Sequence, residues 1–309
     1  MEPLLSALKA AGEPTRLRLL ALCAHMDLTV SQLTQILGQS QPRVSRHLKL
    51  LWEAGLLDRF REGNWVFFRL ATRGPVAELA RILVDSLDHD NPVLSLDFAR
   101  LEKIRREREK LAADYFRRNA TQWHEIRALH VDEAEVERQL LALIPNGEVE
   151  DLLDIGTGTG RVIEILGPRV RRAVGVDLSH EMLTVARSNL ERAQLRNCLV
   201  RHGDMYQLPL QSGSFDAVTI HQVLHFAERP GEVIGEAARV LRPGGRLIVV
   251  DFDKHELEFL RDEQAHRWLG FREDEVAGWF GQAGLETGPV KFLPGDPLTV
   301  GIWQARQAA

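Results

Sequence analysis

The chain has 309 residues, 44% of them apolar, and a net charge of −5, with eleven Lys and Arg against eight Asp and Glu in residues 1–87 and a net −8 in the rest. This is ordinary globular composition at a length suited to two domains, and no stretch approaches the roughly 20 apolar residues of a membrane helix. Two cysteines far apart, Cys23 and Cys198, argue against a disulfide framework and, with no signal-peptide pattern at the start, lead us to expect a cytoplasmic protein.

Residues 3–11 read as a short helix. Glu13-Pro14-Thr15-Arg16 opens a second, to about residue 25, with Leu17, Leu20, Ala21 and Ala24 as its buried stripe. A third, over residues 30–37, turns Leu33, Ile36 and Leu37 inward. Gly38-Gln39-Ser40 is a tight turn; Ser40 is a good N-cap, and Pro42 is tolerated in the first turn of the next helix. That helix, residues 41–53, sets Val44, Leu48 and Leu51 on one face and Arg43, Arg46 and His47 on another, flanked by Gln41, Ser45 and Lys49. A short helix, a tight turn and a polar-faced second helix make the helix-turn-helix pattern. Gly55 ends the helix, and residues 56–60 and 65–70 read as strands joined by the turn Arg61-Glu62-Gly63-Asn64. The expectation is an α+β winged helix.

Glu13-Pro14-Thr15-Arg16-Leu17, the residue 41–55 pattern and the wing with Gly63 resemble the ArsR family of winged-helix repressors. The resemblance implies that Gln39, Ser40, Gln41, Arg43, Ser45, Arg46, His47 and Lys49 face a major groove of double-stranded operator DNA. The wing, with Arg61 and Asn64, then touches the flanking backbone. The next helix, residues 75–87, places Val76, Leu79, Ala80, Leu83 and Leu87 on one stripe; the family's first and last helices build a homodimer, which two-fold half-sites require. Many relatives sense metals. Here residues 29–55 lack cysteine, and Asp85 and Asp88-His89-Asp90 have no second histidine nearby, so no metal is expected.

Asn91-Pro92 breaks the pattern, which sets domain limits at residues 1–88, a linker over 89–130 and a second domain over 131–309. A charged helix over residues 98–127 carries Leu101, Ile104, Leu111 and Tyr115 on a seam interrupted by Arg108. It reads either as a solvated spacer or as a lever between a ligand site and the DNA heads.

The second domain is organised around Asp154-Ile155-Gly156-Thr157-Gly158-Thr159-Gly160, between a buried strand and a helix over residues 161–166. Such a turn aims backbone N–H groups into the crevice above the sheet, and glycines admit positive φ and a closely approaching ligand. A dinucleotide fingerprint needs glycine at the sixth place, where Arg161 stands. G-x-G-x-G with an acid two residues ahead instead resembles the first motif of class I S-adenosylmethionine-dependent methyltransferases. Three further stretches follow in the family's order: Ala173-Val174-Gly175-Val176-Asp177, His202-Gly203-Asp204-Met205, and the strand of residues 215–221 followed by Leu241-Arg242-Pro243-Gly244-Gly245.

The resemblance implies a doubly wound, Rossmann-like α/β sheet with an antiparallel closing strand. It implies a pocket for S-adenosylmethionine or S-adenosylhomocysteine. Asp154, Gly156, Thr157, Gly158 and Gly160 would meet the amino-acid end, and Asp177, Leu178 and Met182 would lie by the ribose. Asp204 and Met205 would take the adenine, and His221, Gln222, Tyr115 and Trp123 would close the pocket. His221 and His225 are the weak candidates for a base.

Two functions then stand side by side: a repressor that binds S-adenosyl ligands as signals, or a working methyltransferase with a DNA-binding appendage. His221-Gln222-Val223-Leu224 is not the Asn/Asp-Pro-Pro-aromatic motif of amino-group DNA methyltransferases, and Cys198 alone cannot supply an arsenite site. An ArsR head on a methyltransferase fold is similar to the proteobacterial S-adenosylhomocysteine-responsive regulators of the methionine cycle. That similarity implies a repressor released as S-adenosylhomocysteine accumulates.

Overall fold

In the computed structural model, residues 1–62, 65–72, 74–88, 91–118, 133–264 and 266–308 are described; side chains at 62, 108–118 and 262–264 fall outside the description. The chain divides into two compact units, Met1–Lys110 and Leu111–Ala309.

In the first unit, α1 (Glu2–Ala11), α2 (Pro14–His25), α3 (Val30–Leu37) and α4 (Gln41–Glu53) precede the wing strands β2 (Leu57–Glu62) and β3 (Trp65–Leu70) and helix α5 (Ala77–Asp85). A two-residue strand unmarked by any periodicity, β1 (Leu28–Thr29), pairs with β3 to give the order β1-β3-β2. Glu13 caps α2 by accepting from the Arg16 N–H at 2.9 Å, and Thr29 and Gln32 form a capping box at α3. The helix α2 is buried more widely than its expected stripe: Leu19 and Leu22 are fully enclosed, because other elements pack around it on several sides.

Helix α6 (Pro92–Arg118) starts six residues earlier than the sequence pattern indicates. Asn91 Oδ1 accepts from the N–H groups of Val93 (3.0 Å) and Leu94 (3.4 Å), so Asn91-Pro92 starts the helix: proline at the first helical position lacks an N–H that would be orphaned anyway. Leu101 and Ile104 belong to the first unit's core, and Leu94 and Asp97 are buried too, so the early part of the expected linker is packed. Trp123, Asn64 and residues 119–132 lie outside the described residues.

The second unit carries α7 (Glu133–Leu143), β4 (Asp151–Ile155), α8 (Arg161–Leu166), β5 (Arg172–Asp177), α9 (His180–Arg192), β6 (Cys198–His202), β7 (Phe215–His221), α10 (Pro230–Val240), β8 (Leu241–Phe252), α11 (Phe259–Gln264), α12 (Glu273–Gln282), β9 (Leu285–Leu293) and β10 (Val300–Gln307). The seven strands run β6-β5-β4-β7-β8-β10-β9, parallel except at β10, which is antiparallel to both neighbours. This is the doubly wound sheet with its closing hairpin. The expected turn at Leu241–Gly245 is a bulge inside β8: Phe215 faces Leu241 while Ala217 faces Arg246. Two apolar cores pack in this unit, one around Leu152, Ile163 and Val250, the other around Ile155, Val218 and Phe280. Strand order reverses between β4 and its neighbours β5 and β7, and ligands of open α/β sheets bind outside the C-terminal strand ends at such a point.

Candidate functional site

The turn after β4 is fixed from below. The N–H groups of Gly156 and Thr157 both donate to Val176 O on β5, at 2.8 and 3.0 Å. Gly156, Gly158 and Gly160 all have positive φ (69°, 53° and 80°), and Gly160 opens α8. A Cβ on Gly156 would lie 2.5 Å from Val223 Cγ2, and one on Gly175 would lie 2.5 Å from Ile163 Cδ1, so those glycines permit packing. Nothing lies within 4 Å of a Cβ built on Gly158, where the turn faces open space.

Asp177, at the end of β5, grips the turn. Its Oδ2 accepts from the Gly158 N–H and its Oδ1 from the Ser179 N–H, each at 2.8 Å. Each carboxylate oxygen keeps lone-pair capacity for a hydroxyl donor. Ser179 caps α9 through the Met182 N–H (3.2 Å), and Leu178 between them is 67% exposed. Asp177 thus touches the glycine turn, with Leu178 next to it in the chain and Met182 in the first turn of α9.

Asp154 is buried on β4. Its Oδ1 accepts a 2.7 Å hydrogen bond from Thr219 Oγ1, its register partner on β7, and its Oδ2 makes no close hydrogen bond, although the Thr157 hydroxyl acts on the carboxyl. Burial pushes the carboxyl up to about 6, with the Thr219 and Thr157 hydroxyls working the other way and the Asp177 charge adding to the rise. A buried acid with a bare oxygen suits a cationic or donor group. Asp204 is exposed and accepts from the Tyr206 N–H at 2.9 Å, with Met205 half-buried behind it. His221 is half-buried at the end of β7. Gln222 takes φ +50°, a backbone conformation uncommon outside glycine, and its N–H is spent on Val250 O at 2.7 Å. The Tyr115 side chain lies outside the description.

His225 turns inward, only 3% exposed. Its Nδ1 lies 2.7 Å from Asp251 Oδ1, its backbone N–H donates to Asp251 Oδ2 at 3.2 Å, and its ring packs on His266 at 4.1 Å. Sequence reasoning missed Asp251 and Thr219. Asp251 had a signal, an acid closing the apolar run Leu247–Val250; Thr219 had none.

On the first unit, Ser40, Gln41, Arg43, Ser45, Arg46 and Lys49 are exposed along α4 and its N-terminus, and Arg61 is exposed on β2. Ser40 makes no side-chain cap, while Gln39 Oε1 is buried without a partner. His47 departs from the exposed face: its side chain is 14% exposed, with Nδ1 3.7 Å from Glu13 Oε2. Beside them, the Arg59 guanidinium lies over the Trp52 ring, 5.1 Å from its centroid, and Lys49 pairs with Glu53 at 3.7 Å. Among the described residues no cluster of three or more His, Cys, Asp or Glu could hold a metal, and no helix is long and apolar enough to cross a membrane.

Comparison with known proteins covers both units. Residues 13–59 match the model of bacterial regulatory proteins of the arsR family, and residues 153–249 match that of a methyltransferase domain. Over 107 residues the chain is 39% identical to an uncharacterized 37.1 kDa protein in transposon TN4556 of Streptomyces fradiae, covering 34% of this chain and 30% of that protein. It is 36% identical over 103 residues to a demethylmenaquinone methyltransferase of Tropheryma whipplei (strain Twist), covering 33% and 42%. The matches thus span well under half the length of these relatives. The solved YcgJ protein of Bacillus subtilis superposes with a TM-score of 0.50 at 19% identity, covering 57% of this chain and 99% of YcgJ, a likeness of fold. The chain therefore carries an arsR-family helix-turn-helix domain over residues 13–59 and a class I methyltransferase-fold domain that includes residues 153–249.

Proposed function

We propose that the chain is a dimeric, DNA-binding transcriptional repressor whose second domain reads an S-adenosyl compound, with S-adenosylhomocysteine as effector and methionine-cycle genes as targets. The observation that carries the ligand reading is Asp154: a buried acid with one bare oxygen beneath a positive-φ glycine turn that opens at Gly158. An amino-acid ammonium answers that oxygen, and a ribose diol answers the spare lone pairs of Asp177. The DNA reading rests on Arg43, Arg46 and Lys49, exposed together on α4. Val76 and Ala80 of the expected dimer stripe are buried in the unit's own core, with Leu79 and Leu83 packed against it, so dimerisation is supported instead by Leu4, Leu5 and Leu8 of α1 and Ile82 of α5, which are 44–50% exposed and offer apolar surface to a second copy.

Catalysis on a small acceptor is the second reading. The His225–Asp251 pair favours it, since a carboxylate at Nδ1 fixes an imidazole as an oriented base at Nε2. Its burial weighs toward the sensor.

The test is calorimetry with S-adenosylhomocysteine and S-adenosylmethionine, run beside anisotropy on a duplex that the protein selects from a random library. Saturating S-adenosylhomocysteine should weaken duplex binding about 5–150-fold. Unchanged duplex affinity together with multiple turnover on an acceptor would establish the second reading instead.

A further inference from the structure

Helix α6 is anchored by two arginine contacts, one with α2 and one with the last turn of α3, just ahead of the turn that leads into α4. Leu94, Asp97, Leu101 and Ile104 form one buried stripe of α6. A carboxylate in an apolar stripe is costly unless paired, and Asp97, fully buried, is paired at both oxygens: Arg18 of α2 donates from Nε at 2.6 Å and from Nη2 at 2.7 Å. The fork geometry of that pair fixes the rotation of α6 about its own axis. Burial and pairing leave this part of α6 one way to sit on α2.

One turn further, Arg100 Nη1 donates at 2.7 Å to Ile36 O, in the last turn of α3. The last four carbonyls of a helix lack helical partners and carry the negative end of its dipole, so a guanidinium there is well matched. The next residue but one is Gly38, in the left-handed region at φ +63°, with its N–H on Thr34 O at 3.0 Å. A Cβ built on Gly38 would lie 3.9 Å from the same Arg100 Nη1. Gln39 and Ser40 follow, and then α4 begins. The change of direction from α3 to α4 begins at Gly38, two residues after the carbonyl that this guanidinium binds.

We propose that Arg100 is a positioning residue for DNA recognition: by binding Ile36 O over the Gly38 turn, it sets the angle at which α4 meets the duplex, while Asp97–Arg18 holds Arg100 in reach. The inference rests on the DNA-binding reading of α4. The electrostatic attraction to phosphates is sequence-independent and tolerates a small change of angle; hydrogen bonds to base edges do not. Losing Arg100 should therefore erase discrimination between sequences and spare non-specific binding.

The experiment uses the full chain and two duplexes: one enriched from a random library by the wild-type protein, and a scrambled version, both at one salt concentration. Arg100→Met should bind the enriched duplex at least ~10-fold more weakly, the cost of about one misread base pair, with the scrambled duplex changed less than about 2-fold. Arg100→Lys, which still reaches the carbonyl, should recover most of the discrimination. An Arg100→Met protein with wild-type discrimination overturns the proposal, as does one that, still folded, loses both duplexes equally. If Arg100→Met melts below the assay temperature, Lys and Gln variants carry the test: Gln is too short and should lose discrimination, and equal discrimination by both overturns the proposal. Failure of the wild type to enrich any duplex would overturn the DNA-binding reading and this inference with it.

Discussion

The carboxylate of Asp177 accepts a hydrogen bond from the Gly158 N–H at 2.8 Å, so the acid at the end of β5 shapes the turn that follows β4. Its expected contact with a ribose is therefore its second task. Asp177→Ala should lower S-adenosylhomocysteine affinity more than removal of two ribose bonds alone would, because the turn also loses the two backbone bonds that pre-form it and must then be ordered on binding. Asp177→Asn keeps one acceptor and should fall between. Calorimetry reads both; an alanine variant with wild-type affinity would remove Asp177 from the pocket.

Asp154 predicts a pH dependence of defined sign. Its folded value, about 6, lies above the 3.8 of an unperturbed aspartate, so between those values the folded state holds the proton that the unfolded state releases. Stability from this group is thus present at low pH and is lost as pH rises toward 6, by roughly 2–3 kcal/mol. Asp154→Asn does not titrate, so its stability relative to wild type should improve between pH 4 and pH 7 in urea unfolding. The same variant should bind S-adenosylhomocysteine poorly at every pH, whereas wild-type affinity rises as Asp154 ionises. A constant stability difference across that range would mean that Asp154 titrates normally.

His47 predicts a weaker effect in the first unit. Burial lowers its folded pKa, opposed by Glu13 and reinforced by Arg16, Arg43 and Arg46. The unfolded state takes up a proton more readily as pH falls below about 6.5, so the unit should lose stability in that window. His47→Gln should flatten this part of the profile. Thermal melts of the full chain from pH 7.5 to 5, with and without the substitution, provide the check; parallel profiles would exclude His47 as the source.

On α4, Arg43→Ala and Arg46→Ala should each cost about 1–3 kcal/mol on an enriched duplex if they read base edges, and should flatten the salt slope by about one each if they neutralise phosphates. Anisotropy at several salt concentrations separates the two roles. Wild-type affinity and slope in the double variant would take α4 out of the groove.

The features legible in the sequence were local ones. The glycine turn, the strand-end acids Asp177 and Asp204 and the helix-turn-helix spacing each lie in a few consecutive residues, where positive φ, capping and periodicity act directly. The hidden features depend on distant partners. Asp97 sits in an apolar stripe because of Arg18, 79 positions away, and Asp154 meets Thr219 because β4 and β7 lie side by side. Asn91-Pro92 carried two opposite local meanings, a break or a start, and the Asn91 cap decides for the start. His47 shared the helical spacing of Arg43 and Arg46, yet its ring is largely buried, with Nδ1 3.7 Å from Glu13 at the head of α2.

The glycine turn draws its shape from bonds inside the protein: two N–H groups on Val176 O and one on Asp177. A guest seated there has little backbone to order, and the conformational-entropy toll that weakens many small-molecule sites is correspondingly small. Under the proposed reading this makes the site a prompt gauge. Occupancy should follow the momentary concentration of the ligand, with a delay set by dissociation and none added by refolding of the loop.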